Sequence, residues 1–326
     1  RPEAAGHPGL MLIVERSRID EVLAGIDLLP LMEEAFRGYS AGRAIVPPVG
    51  ELLLEKGEVH IKYGAIAGDD HYVIKVASGF YENPSLGLPS SNGMVLVFRQ
   101  DTGEPEAVLL DEGHLTDVRT AAAGAVAARA LAPPLVERIG VLGTGVQARL
   151  QLAQLAPLFT TRTVVAWGRN RQRLEEYRTV MAEEGWDVMA AEAPAGVAAL
   201  AQLIVTTTPS TEPLLHAADI RPGTHITAVG SDTTEKQELA ADVLALADVL
   251  VADSLEQCRT RGEIARAVAE GAIGSEKAVE LGHVLAGEAT GRTHPAQVTV
   301  FDSTGVAVQD IAIATAVVEA VADAGA

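Results

Sequence analysis

A glycine-rich loop is the clearest chemical signal in the sequence. The loop Gly143-Thr144-Gly145-Val146-Gln147 is followed by Ala148, comes directly after the apolar segment 139–142, and opens an amphipathic stretch. In dinucleotide-binding proteins this spacing permits a tight turn, close approach of a pyrophosphate, and close packing of the following helix. The pyrophosphate lies at the N-terminus of that helix, where N–H groups and the helix dipole favour an anion. The sequence therefore predicts a dinucleotide site at 143–147, the alternative being a glycine turn that binds nothing.

The end of the next apolar segment, 163–167, indicates which dinucleotide is bound. NAD sites usually place Asp or Glu there for the ribose 2′-hydroxyl, but here the segment is followed by Gly168-Arg169-Asn170-Arg171-Gln172-Arg173. Arginine and asparagine donors suit a 2′-phosphate instead. We therefore expect NADP, with NAD as the alternative, unless this stretch is only a basic, solvated helix start. The predicted contacts are Gly168, Arg169, Asn170 and Arg173.

Two secondary-structure patterns surround these residues. Between residues 139 and 252, apolar strands alternate with helical stretches, which indicates a parallel sheet buried on both faces. Residues 1–110 instead combine one amphipathic helix, at 28–40, with several β-type segments separated by turn signals such as Gly68-Asp69-Asp70. That pattern predicts a mostly antiparallel sheet. The predicted fold class is α/β, with a Rossmann dinucleotide-binding domain and a second α/β domain.

Composition and charge exclude several classes of function. The 326 residues carry 25 Lys and Arg against 44 Asp and Glu, a net charge of −19. A surface this acidic repels nucleic acids and anionic membranes, so we expect neither as a partner. The eight histidines include no pair at i and i+4, so no metal site is predicted. The single cysteine, Cys258, and the lack of a signal-peptide pattern at 1–14 predict a cytoplasmic protein.

Four segments in order resemble the ornithine cyclodeaminase/mu-crystallin family over essentially the whole chain. They are residues 115–122, the loop 143–147, residues 228–232 with Lys236 and 238–239, and residues 299–307. The resemblance implies a homodimer with a Rossmann domain at 126–301. That domain is inserted into a substrate-binding and dimerisation domain formed by 1–125 and 302–326.

The resemblance also implies roles for individual side chains. Lys75 is similar to a substrate-contacting lysine, Arg119 to a carboxylate-binding arginine, and Asp232 to a catalytic aspartate that exchanges protons with the substrate nitrogen. From the residues alone, Lys75 could be an exposed strand lysine, Arg119 part of a structural ion pair, and Asp232 a helix cap. Further contacts to the cofactor are predicted for Ser90, Thr120, Thr207, Ser303 and Gly305.

One position departs from the family pattern. The family usually has an arginine just after a proline-rich turn, whereas this turn reads Val46-Pro47-Pro48-Val49-Gly50-Glu51. Lys62, which strand alternation places on the same face as His60, could replace that cation in binding the substrate. The departure leaves the identity of the substrate open.

These features predict an NAD(P)H-dependent reductase that converts a cyclic ketimine or α-imino acid to an L-amino acid, reversibly. Arg119 with Lys75 or Lys62 would hold the carboxylate, and Asp232 would keep the nitrogen protonated. Two alternatives stay open: a redox-neutral cyclodeaminase of ornithine or a related diamino acid with bound NAD, and a non-catalytic NADP-binding protein of the crystallin kind.

Overall fold

A computed structural model describes residues 11–80 and 82–325, and the secondary structure below is that of these residues. The strands are β1 (Leu12–Glu15), β2 (Ala44–Ile45), β3 (Gly50–Leu54), β4 (Gly57–Ile66), β5 (His71–Gly79), β6 (Ser91–Arg99), β7 (Pro105–Leu110), β8 (Ile139–Leu142), β9 (Thr163–Trp167), β10 (Asp187–Ala190), β11 (Leu203–Thr206), β12 (His225–Ala228), β13 (Val249–Ala252), β14 (Ala278–Glu280) and β15 (Thr299–Asp302). The helices are α1 (Arg16–Leu23), α2 (Leu28–Ser40), α3 (His114–Leu131), α4 (Val146–Leu155), α5 (Arg171–Glu183), α6 (Pro194–Ala198), α7 (Ala241–Leu246), α8 (Leu255–Cys258), α9 (Gly262–Ala269), α10 (Leu281–Ala286) and α11 (Ala307–Gly325).

The described chain divides into two compact units. The first comprises the residues up to Leu31, Gly42–Arg119 and those from Ala307 on, and the second comprises Met32–Ala41 and Thr120–Val306. The chain therefore passes from the first unit to the second twice, and returns to the first unit each time. The boundaries predicted at 125/126 and 301/302 differ from these by a few residues, and the roles predicted for the two domains stay predictions.

Most of α2 groups with the second unit, whereas the sequence assigned it to the first domain. Tyr39 of α2 shares a hydrogen bond with Ser254 Oγ at 2.5 Å. The backbone of α2 also packs so closely on α10 that a Cβ at Gly282 would clash with Phe36 O. These long-range contacts decide the grouping, and the amphipathic pattern of α2 cannot show which surface its apolar stripe covers.

The first unit contains a seven-stranded sheet within the described residues. Its strand order is β1-β7-β6-β5-β4-β2, and β3 also pairs with β4. All pairs are antiparallel except β1 with β7. Short turns join β4 to β5 and β6 to β7, and there Gly68 and Gly103 adopt φ angles of +94° and +74° that favour glycine. The predicted mostly antiparallel sheet is confirmed.

Helix α11 packs against β4, β5 and β6 on one face of this sheet. Because side chains alternate between the two faces, Val73, Val95 and Leu109 are buried on the covered side. Lys62 of β4 and Lys75 of β5 lie directly opposite each other in the strand register and are also buried. Two like charges in this position destabilise a sheet unless other groups compensate for them.

The second unit contains an eight-stranded parallel sheet in the order β10-β9-β8-β11-β12-β15-β13-β14. Every residue of β8, β11, β12, β13 and β15 is buried. This explains the continuous apolar strands in the sequence, and the predicted α/β fold class is confirmed. The chain order reverses between β8 and β11, and ligands of such sheets bind beyond the carboxyl ends of the strands at that point.

None of the described helices is both long enough and apolar enough to cross a membrane. The predicted absence of a signal peptide falls largely on residues 1–10, outside the described residues.

Candidate active site

Two cations and a carboxylate meet inside the first unit. Asp310 Oδ1, in the first turn of α11, accepts hydrogen bonds from Lys75 Nζ at 2.8 Å and from Arg119 Nε at 2.9 Å. The neighbouring Gln309 Oε1 accepts one from Arg119 Nη1 at 2.8 Å. None of these four residues is more than 3% exposed. Removing one partner of a buried ion pair typically costs about 3–5 kcal/mol, so we expect this arrangement to be rigid.

Lys62 adds a third positive charge to this cluster. It is 6% exposed and lies opposite Lys75 in the β4–β5 register. Burial lowers the pKa of Lys75 to about 7; the Asp310 carboxylate opposes this shift, while the charges of Arg119 and Lys62 add to it. Lys75 and Arg119 thus share one hydrogen-bonded carboxylate, and the charge of Lys62 acts on both Lys75 and Asp310, so the cluster favours binding of an anion.

The burial of Lys75 rules out the interpretation that it is an exposed strand lysine. Arg119 forms a buried ion pair with Asp310, as expected if its role is structural. The same Asp310 carboxylate, however, also binds Lys75. Sequence reasoning missed Gln309 and Asp310. The available signal was the presence of two adjacent polar residues at the start of a helix that is otherwise rich in Ala, Val and Ile.

The predicted dinucleotide loop connects β8 to α4 in the second unit. Gly143 adopts a φ of +117°, and a Cβ there would clash with Thr207 Oγ1, so only glycine fits. A Cβ at Gly145 would meet nothing within 4 Å. Val146 and Gln147 form the first turn of α4, and no side chain caps this helix. The open space and the uncapped helix start fit the pyrophosphate of a dinucleotide.

Two other predicted contacts lie beside this loop. A Cβ at Gly168, which follows β9, would come within 2.7 Å of Thr144 Cγ2. Thr207, which follows β11, donates from its N–H and its hydroxyl to Leu142 O at 2.8 and 3.0 Å. The structure therefore brings Gly143, Thr144, Gly168 and Thr207 together at the carboxyl ends of adjacent strands.

The residues after β9 divide into groups with different surroundings. Asn170 caps α5, because its Oδ1 accepts a hydrogen bond from the Arg173 N–H at 3.1 Å. Arg171 forms an exposed ion pair with Glu192. The side chains of Arg169 and Arg173 are exposed. The side-chain oxygen of Asn170 thus has a structural role. Only the side-chain amide nitrogen of this residue is left for the predicted contact with the phosphate.

The carboxylate of Glu238 connects the loops that follow β11 and β12. It accepts hydrogen bonds from Thr206 Oγ1 at 2.6 Å, from Thr208 N–H at 2.6 Å and Oγ1 at 2.7 Å, and from Gly230 N–H at 2.9 Å. Burial raises the pKa of Glu238 to about 7 despite these donors. In the sequence, Glu238 is only part of a segment that resembles the family. The structure shows that its carboxylate binds the backbone N–H of Thr208, next to Thr207.

Asp232 follows β12 and is ion-paired. Its Oδ1 accepts a hydrogen bond from Lys236 Nζ at 2.7 Å, and its side chain is 36% exposed compared with 11% for Lys236. The next helix, α7, has Ala240 at its N-cap position, so the interpretation of Asp232 as a helix cap is wrong. A partly exposed carboxylate at the carboxyl end of a parallel strand is accessible to a ligand.

The loop after β15 contains Ser303 and Gly305, and the buried Asp253 holds it in place. Asp253 Oδ2 accepts from Gly305 N–H at 2.6 Å and from Ser303 Oγ at 3.4 Å, and Oδ1 accepts from Thr304 Oγ1 at 3.0 Å. Gly305 has a φ of +77°, which favours glycine. The loop therefore has a defined shape before any ligand binds.

The two remaining predicted contacts are Ser90 in the first unit and Thr120 in the second, whose carbonyl oxygen accepts a hydrogen bond from Gln151 Nε2 of α4 at 3.2 Å. Ser90 directly precedes β6, whose first residue, Ser91, pairs with Gly79. Gly79 lies four residues beyond Lys75 in β5, a distance of roughly 13 Å along a strand. Thr120 follows Arg119 in α3 but belongs to the second unit.

Cys258 and the metal-binding residue types form no further site in the described chain. Between residues 11 and 80 and between 82 and 325, no group of three or more His, Cys, Asp or Glu side chains could hold a metal ion. Cys258 is fully buried, and burial raises the pKa of its thiol well above the ordinary value. A thiol in this state is a poor nucleophile.

Comparison with known proteins gives one family match. The model of the "Ornithine cyclodeaminase/mu-crystallin family" matches residues 11–325. An uncharacterized cyclodeaminase of Sinorhizobium fredii is 41% identical over 313 residues, which cover 94% of this chain and 95% of that protein.

Two solved structures are similar over nearly their whole length. An archaeal alanine dehydrogenase dimer with bound NAD is 33% identical, with a TM-score of 0.89 and 97% of each chain covered. The Thermococcus litoralis Δ1-pyrroline-2-carboxylate reductase in complex with NADH and L-proline is 28% identical, with a TM-score of 0.91 and 97% and 98% of the two chains covered.

Proposed function

Because this chain belongs to the ornithine cyclodeaminase/mu-crystallin family, we propose that it is an NAD(P)H-dependent oxidoreductase acting on C–N bonds. It reduces a cyclic ketimine or another α-imino acid to an L-amino acid, and the reaction is reversible. The observation that carries this proposal is the buried cluster of Lys75, Arg119 and Asp310, to which Lys62 adds positive charge.

The cluster binds the substrate carboxylate. Its excess of positive charge is compensated when a carboxylate joins it, because buried charges are stable only when they are paired. Arg119 offers a planar fork of donors that matches a carboxylate, and the Lys75 ammonium adds a point charge. Two-point binding by Arg119 and Lys75 would fix the orientation of the carboxylate and of the imine carbon attached to it.

The dinucleotide binds at the loop 143–147, with its pyrophosphate at the N-terminus of α4. Gly168, Arg169 and Arg173 would hold the adenosine ribose, and Thr207, Ser303 and Gly305 would hold the nicotinamide end of the cofactor. When bound, the reduced nicotinamide supplies the hydride that the imine carbon accepts. The lack of an acid after β9 and the exposed Arg169 favour NADP, and NAD is the alternative.

Asp232 is the group that acts on the substrate nitrogen. Its carboxylate holds the iminium form by accepting a hydrogen bond from the protonated nitrogen, and it exchanges that proton in either direction of the reaction. Lys236 Nζ donates a hydrogen bond to Asp232 Oδ1 at 2.7 Å and holds this carboxylate in place.

A second candidate is cyclodeamination of a diamino acid, which the similarity to the Sinorhizobium fredii protein supports. Such a substrate brings a distal ammonium group in addition to its carboxylate. Lys62 and Lys75 lie opposite each other in one buried cluster, and they repel a second cation nearby. Imine reduction is therefore the favoured function.

A second copy of this chain is the macromolecular partner we propose. The face of the first sheet opposite α11 carries exposed apolar side chains on β3, β4 and β6, among them Leu52, Ile61, Tyr63 and Met94. Exposed apolar patches of this kind mark interaction surfaces, and the similar alanine dehydrogenase is a dimer. The acidic charge and the single buried cysteine support a cytoplasmic protein whose other partner is a small imino or amino acid.

The test is a substrate panel run separately with NADPH and NADH. We expect coenzyme absorbance to fall in proportion to the L-amino acid formed when pyrroline-2-carboxylate, or a 2-oxo acid with ammonia, is added. NADPH should support the faster reaction. If ornithine instead yields proline and ammonia with no net change in the coenzyme, the protein is a cyclodeaminase. Tight coenzyme binding without turnover of any member of the panel would identify a non-catalytic binding protein.

A further inference from the structure

Gln309 and Asp310 interrupt the apolar surface of α11 at its buried start. Their neighbours Val308 and Ile311 are fully buried, as is Gln309, and Asp310 is only 2% exposed. Burying a carboxylate among apolar side chains is unfavourable unless cations and donors compensate for it. The presence of this charge therefore points to a function at Lys75 and Arg119, the two cations that it contacts.

The contacts of the two residues define the orientation of Arg119. Asp310 Oδ1 accepts from Nε at 2.9 Å, and Gln309 Oε1 accepts from Nη1 at 2.8 Å, so consecutive residues of one helix hold two sides of the planar guanidinium. Asp310 contacts Arg119 through Nε and not through the paired Nη groups. Asp310 Oδ2 and Gln309 Nε2 are buried without a hydrogen-bond partner among the described residues. The carboxylate thus binds both cations through a single oxygen, Oδ1. Its other oxygen makes no hydrogen bond to the described residues, so the hydrogen-bonding capacity of Asp310 is not fully used by the fold.

We propose that Asp310 is a positioning residue for the substrate carboxylate: it orients the Arg119 guanidinium and favours the ammonium form of Lys75. Asp310 does not contact the substrate in this arrangement, and acts only through the two cations. The inference rests on the proposed function of the cluster.

The charges that face Lys75 show why a carboxylate is required at this position. Lys62 approaches from β4 and Arg119 from α3, and both favour the neutral amine of Lys75. Asp111, in the turn after β7, also interacts with Lys75, but burial raises the pKa of this carboxyl. Asp310, from α11, makes the direct contact at 2.8 Å. Although burial acts in the opposite direction, Arg119, Lys75 and Lys62 hold the pKa of Asp310 below its usual value, so it stays charged.

The test compares Asp310→Asn with the wild-type enzyme in the reductase assay. Asn keeps the shape but removes the charge, so we expect the KM for the imino acid to rise at least about tenfold while kcat changes less. Loss of the anion also lowers the pKa of Lys75. The pH at which KM begins to rise should therefore move down by about one unit or more. Asp310→Glu, which restores the charge, should recover much of the wild-type pH profile.

Asp323→Asn provides the matched control, because Asp323 lies on the same helix and is exposed. It should leave KM, kcat and the pH profile unchanged. Thermal unfolding reports whether each variant is folded, and NADPH binding, measured by fluorescence titration, should be the same in all of them. An Asp310→Asn variant with wild-type KM and pH profile would overturn the inference, while absence of turnover in the wild type would instead overturn the proposed function.

If Asp310→Asn does not fold, the double variant Lys75→Gln/Asp310→Asn removes one charge of each sign. Because Asp310 also orients Arg119, we expect its KM to exceed that of Lys75→Gln alone by about tenfold or more. Equal KM values in these two proteins would show that Asp310 does not act on Arg119 and would contradict the proposal.

Discussion

At the scale of single residues, the protonation of Lys75 decides how strongly the buried cluster attracts a carboxylate. An exposed lysine stays charged throughout the neutral pH range. Burial, with the charges of Arg119 and Lys62, brings the pKa of Lys75 down to about 7. A small change of pH near neutrality therefore changes the charge of the cluster, whereas the charge of an ordinary lysine would stay the same.

The KM for the imino or amino acid should consequently depend on pH. We expect it to increase as the pH rises through about 7, because Lys75 loses its proton over this range. Lys75→Met should show a high KM that no longer changes over this range. The measurement is KM against pH for both proteins. An unaltered pH dependence in the Lys75→Met variant would assign the titration to another group.

Asp232 has a different role from the cluster, and its substitution should affect a different constant. Asp232→Asn keeps a hydrogen-bonding side chain but cannot hold or accept the proton, so we expect kcat to fall about 10²–10⁴-fold. NADPH binding should be unchanged, because the dinucleotide loop is not altered. Steady-state kinetics and a binding titration separate the two effects, and an unchanged kcat would remove Asp232 from the mechanism.

At the scale of elements, the connection from β8 to α4 shows two glycines with different functions. Gly143 adopts a positive φ and lies against Thr207, so it is needed for the turn itself. Gly145 has an ordinary φ of −87° and open space around it. The fold does not require a glycine at the second position, whereas a bound pyrophosphate does.

Two alanine substitutions test this distinction. Gly145→Ala should leave the melting temperature unchanged but weaken NADPH binding by about tenfold or more, which corresponds to about 1.4 kcal/mol. Gly143→Ala should lower the melting temperature as well, because the turn is strained and the new Cβ clashes with Thr207 Oγ1. Thermal unfolding with and without NADPH checks both. Wild-type coenzyme affinity in Gly145→Ala would place the pyrophosphate elsewhere.

At the scale of the whole molecule, the two faces of the first sheet have different surroundings. Helix α11 packs on one face and buries the charged cluster there. The opposite face carries exposed Ile61, Tyr63 and Met94, beside a stacked pair formed by Tyr72 and Phe98 with ring centroids 4.9 Å apart. A broad apolar face of this kind fits self-association of the chain.

Placing a charge on this face should separate the proposed dimer. We expect Ile61→Glu to shift the protein to the mass of a single chain in light scattering, because the carboxylate would be buried without a partner in the interface. Leu200→Glu is the matched control, since Leu200 in the second unit has the same exposed fraction as Ile61, 39%. It should leave the mass unchanged. A wild-type protein with the mass of one chain would contradict the dimer directly.

The sequence by itself determined the α/β class, the glycine loop and the family, because these depend on spacing between neighbouring residues and on the order of segments. The alternation of apolar residues also predicted that Lys62 shares a face with His60. Fold and loop could therefore be predicted before any contact was known.

Only the tertiary structure decided how charges combine. Asp310 lies 191 residues from Arg119 and 235 from Lys75, so no local pattern could show that one oxygen binds both. The same is true of Asn170, whose side-chain oxygen caps α5, and of Glu238, which connects two strand ends. The charge state of Lys75 depends on its burial and on cations from two other elements. Periodicity shows which face a residue occupies, but only the folded chain brings distant charges into one low-dielectric environment.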